Sequence, residues 1–188
     1  IQERYPTLSE KQAREILTMV SEATKGSDDR AELVVTAPPS FALRTKPTKV
    51  TVKAMLSDAE KSILITGYSL SDYFSELIDC VIQKSQEGVF VKFFVNDIEN
   101  AFDHLCRYRG KFLRIYNYPK HEDKMSALHA KVISVDGEYT LITSANLSYH
   151  GQEGNIELGT QIHSKDLAKQ VDDVFTKLVF SKVFEEVI

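Results

Sequence analysis

Asp136-Gly137 stands between two runs dominated by β-branched and apolar residues, Lys131–Val135 and Tyr139–Thr143. An Asp-Gly pair accepts positive φ at both residues, which is the backbone that a tight hairpin turn demands. The chain must therefore double back here, and any fold it adopts has to contain this antiparallel pair. Folding about the turn lays His129 beside Ser144–Asn146. Because strand side chains alternate faces, His129 and Lys131 share a direction, as do Ser144 and Asn146, and as do Asn155 and Glu157 on the strand that follows. The expectation is that these three i, i+2 pairs converge at the open end of the hairpin.

Upstream the pattern changes to alternation of helix and strand. Leu8, Ala13, Ile16, Leu17 and Val20 recur at helical spacing over Thr7–Ala23, with Thr7 and Glu10 placed as a capping box. A short strand over Glu32–Thr36 is closed by Pro38-Pro39, and Pro47 opens a second helix. There follow a strand Ser62–Thr66, a helix Tyr73–Gln86, a strand Val89–Val95, a helix Ile98–Tyr108 and a strand Phe112–Tyr118. After the hairpin come a strand Ile156–His163 and a closing helix from Lys165. Short apolar strands alternating with helices predict an α/β fold, with a mixed, mostly parallel sheet between helical layers. Residues 1–30 read as an accessory helix with its linker, and 31–188 as one domain.

Composition bounds the function. In 188 residues, 43% are hydrophobic, with ten Phe and eight Tyr, enough for the core of one domain. A formal charge of -4 excludes a globally basic surface, so an anionic polymer has to be held by a local patch. Lys92, Arg107, Arg109, Lys111 and Arg114 are the candidates, provided that they cluster in space. Cys80 and Cys106 show neither CxxC nor zinc spacing, which predicts a reduced, cytoplasmic setting. No run approaches the roughly 18 apolar residues of a membrane span, and no leader is visible.

The residues gathered by the hairpin are suited to a phosphate. Imidazole can act as nucleophile or general acid near neutral pH, while a Lys ammonium and an Asn amide hold anionic oxygens. A Glu that accepts the other ring N–H of His129 fixes its tautomer and supports its positive charge. No Asp/Glu cluster at metal spacing surrounds these residues, so attack by the His itself is expected, with no metal or cofactor. Tyr68 and Ser69 follow a strand and are placed either to line the pocket or to pack a turn. His150 either overhangs the site or is exposed; Lys120–Lys124 reads as a solvated loop, and Phe90, Phe93 and Phe94 as core.

His129, Lys131, Asp136, Ser144 and Asn146, in the pattern H-x-K-x4-D followed by S-x-N, resemble the HKD motif of the phospholipase D superfamily. Asn155 and Glu157 fall where members carry a polar residue and the acidic partner of the catalytic His. The resemblance implies the family's αβα sandwich, with 31–188 as its catalytic domain, and a two-step displacement through a phosphohistidine. It makes His129 the catalytic His and Glu157 its partner, with Lys131 and Asn146 binding non-bridging oxygens, assisted by Ser144. Asp136, at the turn and roughly 20 Å from His129 at about 3.3 Å per residue, is expected to be structural, as is Asn155. Thr143 stands where many members have Gly. One complete motif is present, and the family chemistry needs two His, so a C2 homodimer sharing one site is expected.

The stretches "AELVVTAPPS" and "ILITGY" further resemble the phospholipase D-like component of DISARM-type bacterial anti-phage systems. This implies action on DNA, favoured over RNA, beside helicase or methylase partners and away from membranes. The expected activity is a nuclease. The alternatives are a lipid or small-molecule phosphodiesterase, which predicts an exposed apolar rim not evident in the sequence, and a non-cleaving nucleic-acid binding module.

Overall fold

The computed structural model describes residues 4–23, 29–38, 44–67, 75–96, 103–119 and 126–188. In chain order the elements are α1 (Glu10–Ala23), β1 (Arg30–Thr36), β2 (Lys46–Pro47), α2 (Thr48–Ser57), β3 (Ser62–Gly67), α3 (Ser75–Gln86), β4 (Phe90–Asn96), α4 (Asp103–Cys106) and β5 (Leu113–Tyr118). The hairpin β6 (Val132–Val135) and β7 (Tyr139–Thr143) follows, then a π-helical turn (His150–Gly154), β8 (Glu157–His163), α5 (Lys165–Phe180) and β9 (Glu185–Glu186).

The strands form one sheet in the order β2-β1-β8-β7-β6-β3-β4-β5-β9. Its two halves differ in direction. β3, β4 and β5 are parallel, as the helix-bearing connections between them require, and the two-residue β2 runs parallel to β1. The other five pairings are antiparallel. The sheet is therefore mixed, but the expectation of a mostly parallel one is corrected. The connection after β6 is a three-residue turn that leaves no room for a crossover, so β7 folds back beside β6.

In the hairpin Val132 faces Ile142 and Val135 faces Tyr139. Asp136 and Gly137 take φ of 59° and 68°, and Glu138 N donates to Val135 O at 3.1 Å, the geometry expected of Asp-Gly. At the other end of the chain, α1 starts three residues later than the periodicity predicts. Ser9 supplies the cap: Gln12 N donates to Ser9 Oγ at 3.3 Å, and Ser9 N to Gln12 Oε1 at 3.0 Å, so the reciprocal box is Ser9/Gln12 rather than Thr7/Glu10. Only Asp103–Cys106 of the helix expected over 98–108 forms α4, and 97–102 lie outside the described residues.

Helices cover both faces. Val52 and Leu56 of α2 and Val81 of α3 pack with Ile63, Ile65, Phe93 and Ile115 in the larger core. On the opposite face Phe175 of α5 meets Leu64, Phe94, Tyr116 and Phe184, with the Phe94 and Phe175 rings 4.6 Å apart. Phe93 and Phe94 are fully buried, as expected of core, and Phe90 is half-buried at the strand start.

Candidate active site

The site forms where regular pairing stops. β6 begins at Val132 and β7 ends at Thr143, so His129, Lys131, Ser144 and Asn146 all lie just outside the strands. Thr66, near the carboxyl end of β3, ties the incoming chain down. Its hydroxyl donates to Ala130 O at 2.7 Å and accepts from Val132 N at 2.9 Å. Across the hairpin Thr143 N donates to Lys131 O at 3.1 Å.

Lys131 Nζ donates to His129 Nδ1 at 2.9 Å and to His129 O at 2.8 Å. An ammonium only donates, so this contact makes Nδ1 an acceptor and leaves the proton of a neutral ring on Nε2. Burial holds the Lys131 ammonium below the ordinary lysine range, and the charge of Glu157 partly restores it. Lys131 should therefore lose its proton at lower pH than an exposed lysine, and at lower pH still in Glu157→Gln. Nitrogen-15 NMR titration of labelled lysine checks both, and a Lys131 signal unmoved by Glu157→Gln would refute the coupling.

Both oxygens of Glu157 are occupied. Asn155 Nδ2 donates to Oε1 at 2.9 Å, and the Ser144 hydroxyl donates to Oε2 through a short contact. The Glu157 partners in this chain are thus Ser144 and Asn155, while His129 Nδ1 has Lys131. Strict alternation would put Ser144 on the face of Ile142, opposite Glu157. The strand ends first. Thr143 Oγ1 accepts from Ala145 N at 3.1 Å, a local side-chain turn that bends the chain and swings Ser144 toward Glu157. The contact of Ser144 with Glu157 is thus made by leaving the strand alternation, not by following it.

Thr143 has a price in space. It faces Gly159, where an added Cβ would lie 2.7 Å from Thr143 Cβ and 2.9 Å from Ile142 O. Gly159→Ala should cost about 1–3 kcal/mol, and Thr143→Gly in the same chain should recover part of it. Thermal denaturation of the two single variants and the double one measures the coupling; additive losses would refute the contact.

Asn146 is supported from behind by residues that no motif pointed to. Gln152 is 5% exposed, and its Nε2 donates to Asn146 O at 3.0 Å. The Thr36 hydroxyl donates to Gly151 O at 2.8 Å. Among the described residues, Asn146 Oδ1 and Gln152 Oε1 are buried without a hydrogen-bond partner. The sequence signal for this support is faint: a glycine after His150 and one amide in a polar turn.

Asp136 sits at the far end of the hairpin. Its carboxylate accepts from Lys61 N at 2.7 Å, Ser62 N at 2.9 Å and Glu60 N at 3.0 Å. Burial raises its pKa, but the three donors and the nearby Lys61 charge together outweigh that and hold it below 3.8. A depressed carboxyl stabilises the fold fully above its unfolded pKa and loses that contribution as pH falls through the folded one. Asp136→Asn should cost about 2 kcal/mol at neutral pH. The gap to wild type should close as pH falls below 3.8, which urea denaturation at several pH values would test.

Other candidates lie elsewhere. His163-Ser164-Lys165 repeats the H-x-K spacing, but at the opposite end of β8: His163 stacks on Tyr139 at 4.6 Å, Ser164 caps α5, and Lys165 pairs with Glu138 at 3.3 Å. Lys92 is engaged by Asp172 at 2.7 Å beside α5. Arg107, Arg109, Lys111 and Arg114 group near the amino end of β5, remote from His129. His150 is exposed and opens the π-helical turn. Tyr68, Ser69 and Lys120–Lys124 lie outside the described residues. Among the described residues no group of three or more His, Cys, Asp or Glu is placed to hold a metal, and no helix is long and apolar enough to cross a membrane.

A mixed sheet under helices, with H-x-K at the open end of a hairpin and S-x-N, Asn and Glu beside it, defines a phospholipase D-like domain. Residues 52–179 match the family described as cardiolipin synthase, PLD-like domain, and the chain belongs to that family, whose superfamily consists generally of phosphodiesterases. It is 33% identical over 187 residues to the DISARM protein DrmC of Bacillus paralicheniformis, covering 97% of this chain and 77% of that protein. Nuc, a phospholipase D family member from Salmonella typhimurium, shares the fold with a TM-score of 0.66 at 17% identity, over 85% of this chain and 99% of its own. NucT from Helicobacter pylori does so with a TM-score of 0.63 at 16% identity, over 82% and 98%.

Proposed function

We propose that this chain is a metal-independent phosphodiesterase that cleaves DNA through a phosphohistidine, as a cytoplasmic homodimer in anti-phage defence. The observation that carries this is the His129–Lys131 pair set at one strand end with the Ser144–Glu157–Asn155 hydrogen-bond group. Residues 31–188 are the catalytic domain and 1–30 an accessory segment. The similarity to DrmC, a DISARM protein, supports the defence role; DNA is the substrate, and helicase or methylase proteins are the partners.

In this reading Lys131 and Asn146 take the non-bridging oxygens of a phosphodiester, and Ser144 assists when its hydroxyl turns from Glu157 to the phosphate. When Lys131 turns to the phosphate, Nδ1 of His129 is released to a carboxylate, Glu157, and the ring proton moves to that side. The Nε2 lone pair then attacks phosphorus, the bond to the leaving oxygen breaks, and His129 of a second copy, acting as an imidazolium, donates its Nε2 proton to that oxygen and is left neutral. Water next attacks phosphorus, the second ring takes a proton from it, and the phosphorus–nitrogen bond breaks. Both rings end as they began. Asp136 and Asn155 act by holding the hairpin and Glu157.

Leu33, Ile142 and Leu158 are 55%, 44% and 59% exposed. The register puts Leu33 and Ile142 on either side of Thr160, with Leu158 on the same face two residues along β8. This apolar strip reaches the residue after Glu157 and is the surface a second copy would cover. The same strip favours a second reading, a lipid phosphodiesterase, because it is an exposed apolar rim of the kind not evident in the sequence.

The test is incubation of wild type and His129→Ala, in excess EDTA, with single-stranded DNA, duplex DNA, RNA and anionic phospholipid vesicles. Cleavage of DNA by wild type alone, with a phosphoprotein trapped on denaturing gels, is expected. Cleavage of lipid alone would establish the second reading. Binding of DNA without cleavage of any substrate would leave a non-cleaving module and sink both.

A further inference from the structure

The stretch Arg107-Tyr-Arg-Gly-Lys-Phe-Leu-Arg114 carries four cations and no acid in a chain whose formal charge is -4. All four cations are exposed, and so are the two aromatics between them, Tyr108 at 43% and Phe112 at 38%. Tyr108 and Phe112 alternate with the cations along one loop, so exposed rings and positive charge share one surface.

The loop is structured. Gly110 N donates to Leu113 O at 2.8 Å, Arg109 Nη1 to Cys106 O at 2.8 Å, and Phe112 O accepts from Val91 N at 2.7 Å. Lys111 Nζ lies 5.1 Å from the centre of the Phe112 ring. A groove of about 340 Å³ runs past Arg109, Lys111 and Arg114. The carboxylate lining that groove, Glu186, sits 3.6 Å from Arg114 in a half-exposed pair, which offsets one charge and leaves the loop strongly positive.

β3, β4 and β5 run parallel, so the amino end of β5 lies at the end of the sheet opposite the site. Six residues of strand and three strand spacings place the loop about 25 Å from His129. Cations at that distance take no part in phosphoryl transfer. They are suited to holding a polymer that extends beyond the site, with phosphates on the cations and bases on the rings.

We infer that Arg107–Arg114 is a second nucleic-acid site, which grips single-stranded polymer through Arg107, Arg109 and Lys111 and stacks bases on Tyr108 and Phe112. It rests on the nucleic-acid reading of the substrate and extends it.

The probe is a fluorescent oligo-dT of roughly 20 nucleotides, titrated with the full chain carrying His129→Ala so that nothing is cut. Removing three cations together (R107A, R109A, K111A) should weaken binding about tenfold or more and reduce the slope of log K against log salt by about two. Removing the rings (Y108A, F112A) should weaken binding with the slope unchanged. In chains retaining His129, hydrolysis of a small aryl phosphodiester should be equal with and without each set, which shows that fold and site are intact. Unchanged oligo-dT affinity and slope in the three-cation variant would overturn the site. An effect of the cations with none of the rings would overturn base stacking and leave a plain anion-binding surface. If the chain cleaves no nucleic acid yet loses oligo-dT binding in both variants, the nuclease reading fails and this site stands.

Discussion

Asparagine at position 129 should abolish turnover, by about four to six orders of magnitude. Asn keeps a polar group near Lys131 but has no nitrogen lone pair to attack phosphorus and no acidic proton to give, so both halves of the displacement are lost. The informative version mixes the variant with wild type and allows the subunits to exchange. If one site is built from two copies of His129, an equal mixture retains only wild-type pairs, about a quarter of the dimers. Activity should then fall to about a quarter of that of the same total amount of wild type. A value of one half would mean that each chain works alone, and the shared site would have to be abandoned.

The second large effect is expected at Gly151. A Cβ there would lie 2.2 Å from Asn146 O and 2.6 Å from Asn146 N. Both are backbone atoms, so no rotamer change can relieve the overlap, and either the π-helical turn or the Asn146 segment has to move. Movement breaks the Gln152 and Thr36 hydrogen bonds that hold them together. Gly151→Ala should therefore cost about 3 kcal/mol of stability. It should also lower kcat/KM on an aryl phosphodiester about a hundredfold through misplacement of Asn146. Gly154→Ala is the control: its nearest obstacle, 3.0 Å away, is the His150 side chain, which can turn aside. Thermal denaturation and steady-state kinetics of the pair separate the two cases. Equal behaviour of both variants would refute the close packing on Asn146.

The hairpin was readable because its determinants are local: two residues that tolerate positive φ, flanked by β-branched runs, fix the pairing of Val132 with Ile142. The helical connections of β3, β4 and β5 made that half of the sheet equally plain. The direction of the remaining strands was harder, because it depends on which neighbours a strand finds and not on its own composition. The Ser9 cap of α1 was missed in favour of Thr7, since two boxes with the same spacing logic overlap within three residues. At the candidate site, the His129–Lys131 pair and the Ser144–Glu157–Asn155 group were legible as polar residues at i, i+2 spacing near one hairpin. The means of bringing them together was not, because the Thr143 bend and the Gln152 brace are tertiary contacts with no periodic signature. The loop at Arg107–Arg114 was visible as a charge run, but only the sheet direction reveals that it faces away from His129.

Of the described strands, the two that close the sheet, β2 and β9, are each two residues long. β2 contains a proline, which has no N–H to offer, and β9 consists of two glutamates. At those positions an incoming strand finds no long row of free backbone groups, although β2 pairs only with Val34 and Val35 of β1 and β9 only with Tyr116 and Asn117 of β5, and a pair of like charges repels a second copy of itself. Growth of this sheet from chain to chain by pairing at β2 and β9, a route to fibres and runaway polymers, is thereby disfavoured. Association through side chains on a face, as in the proposed homodimer, ends when that face is covered, and such contacts give closed assemblies of fixed size.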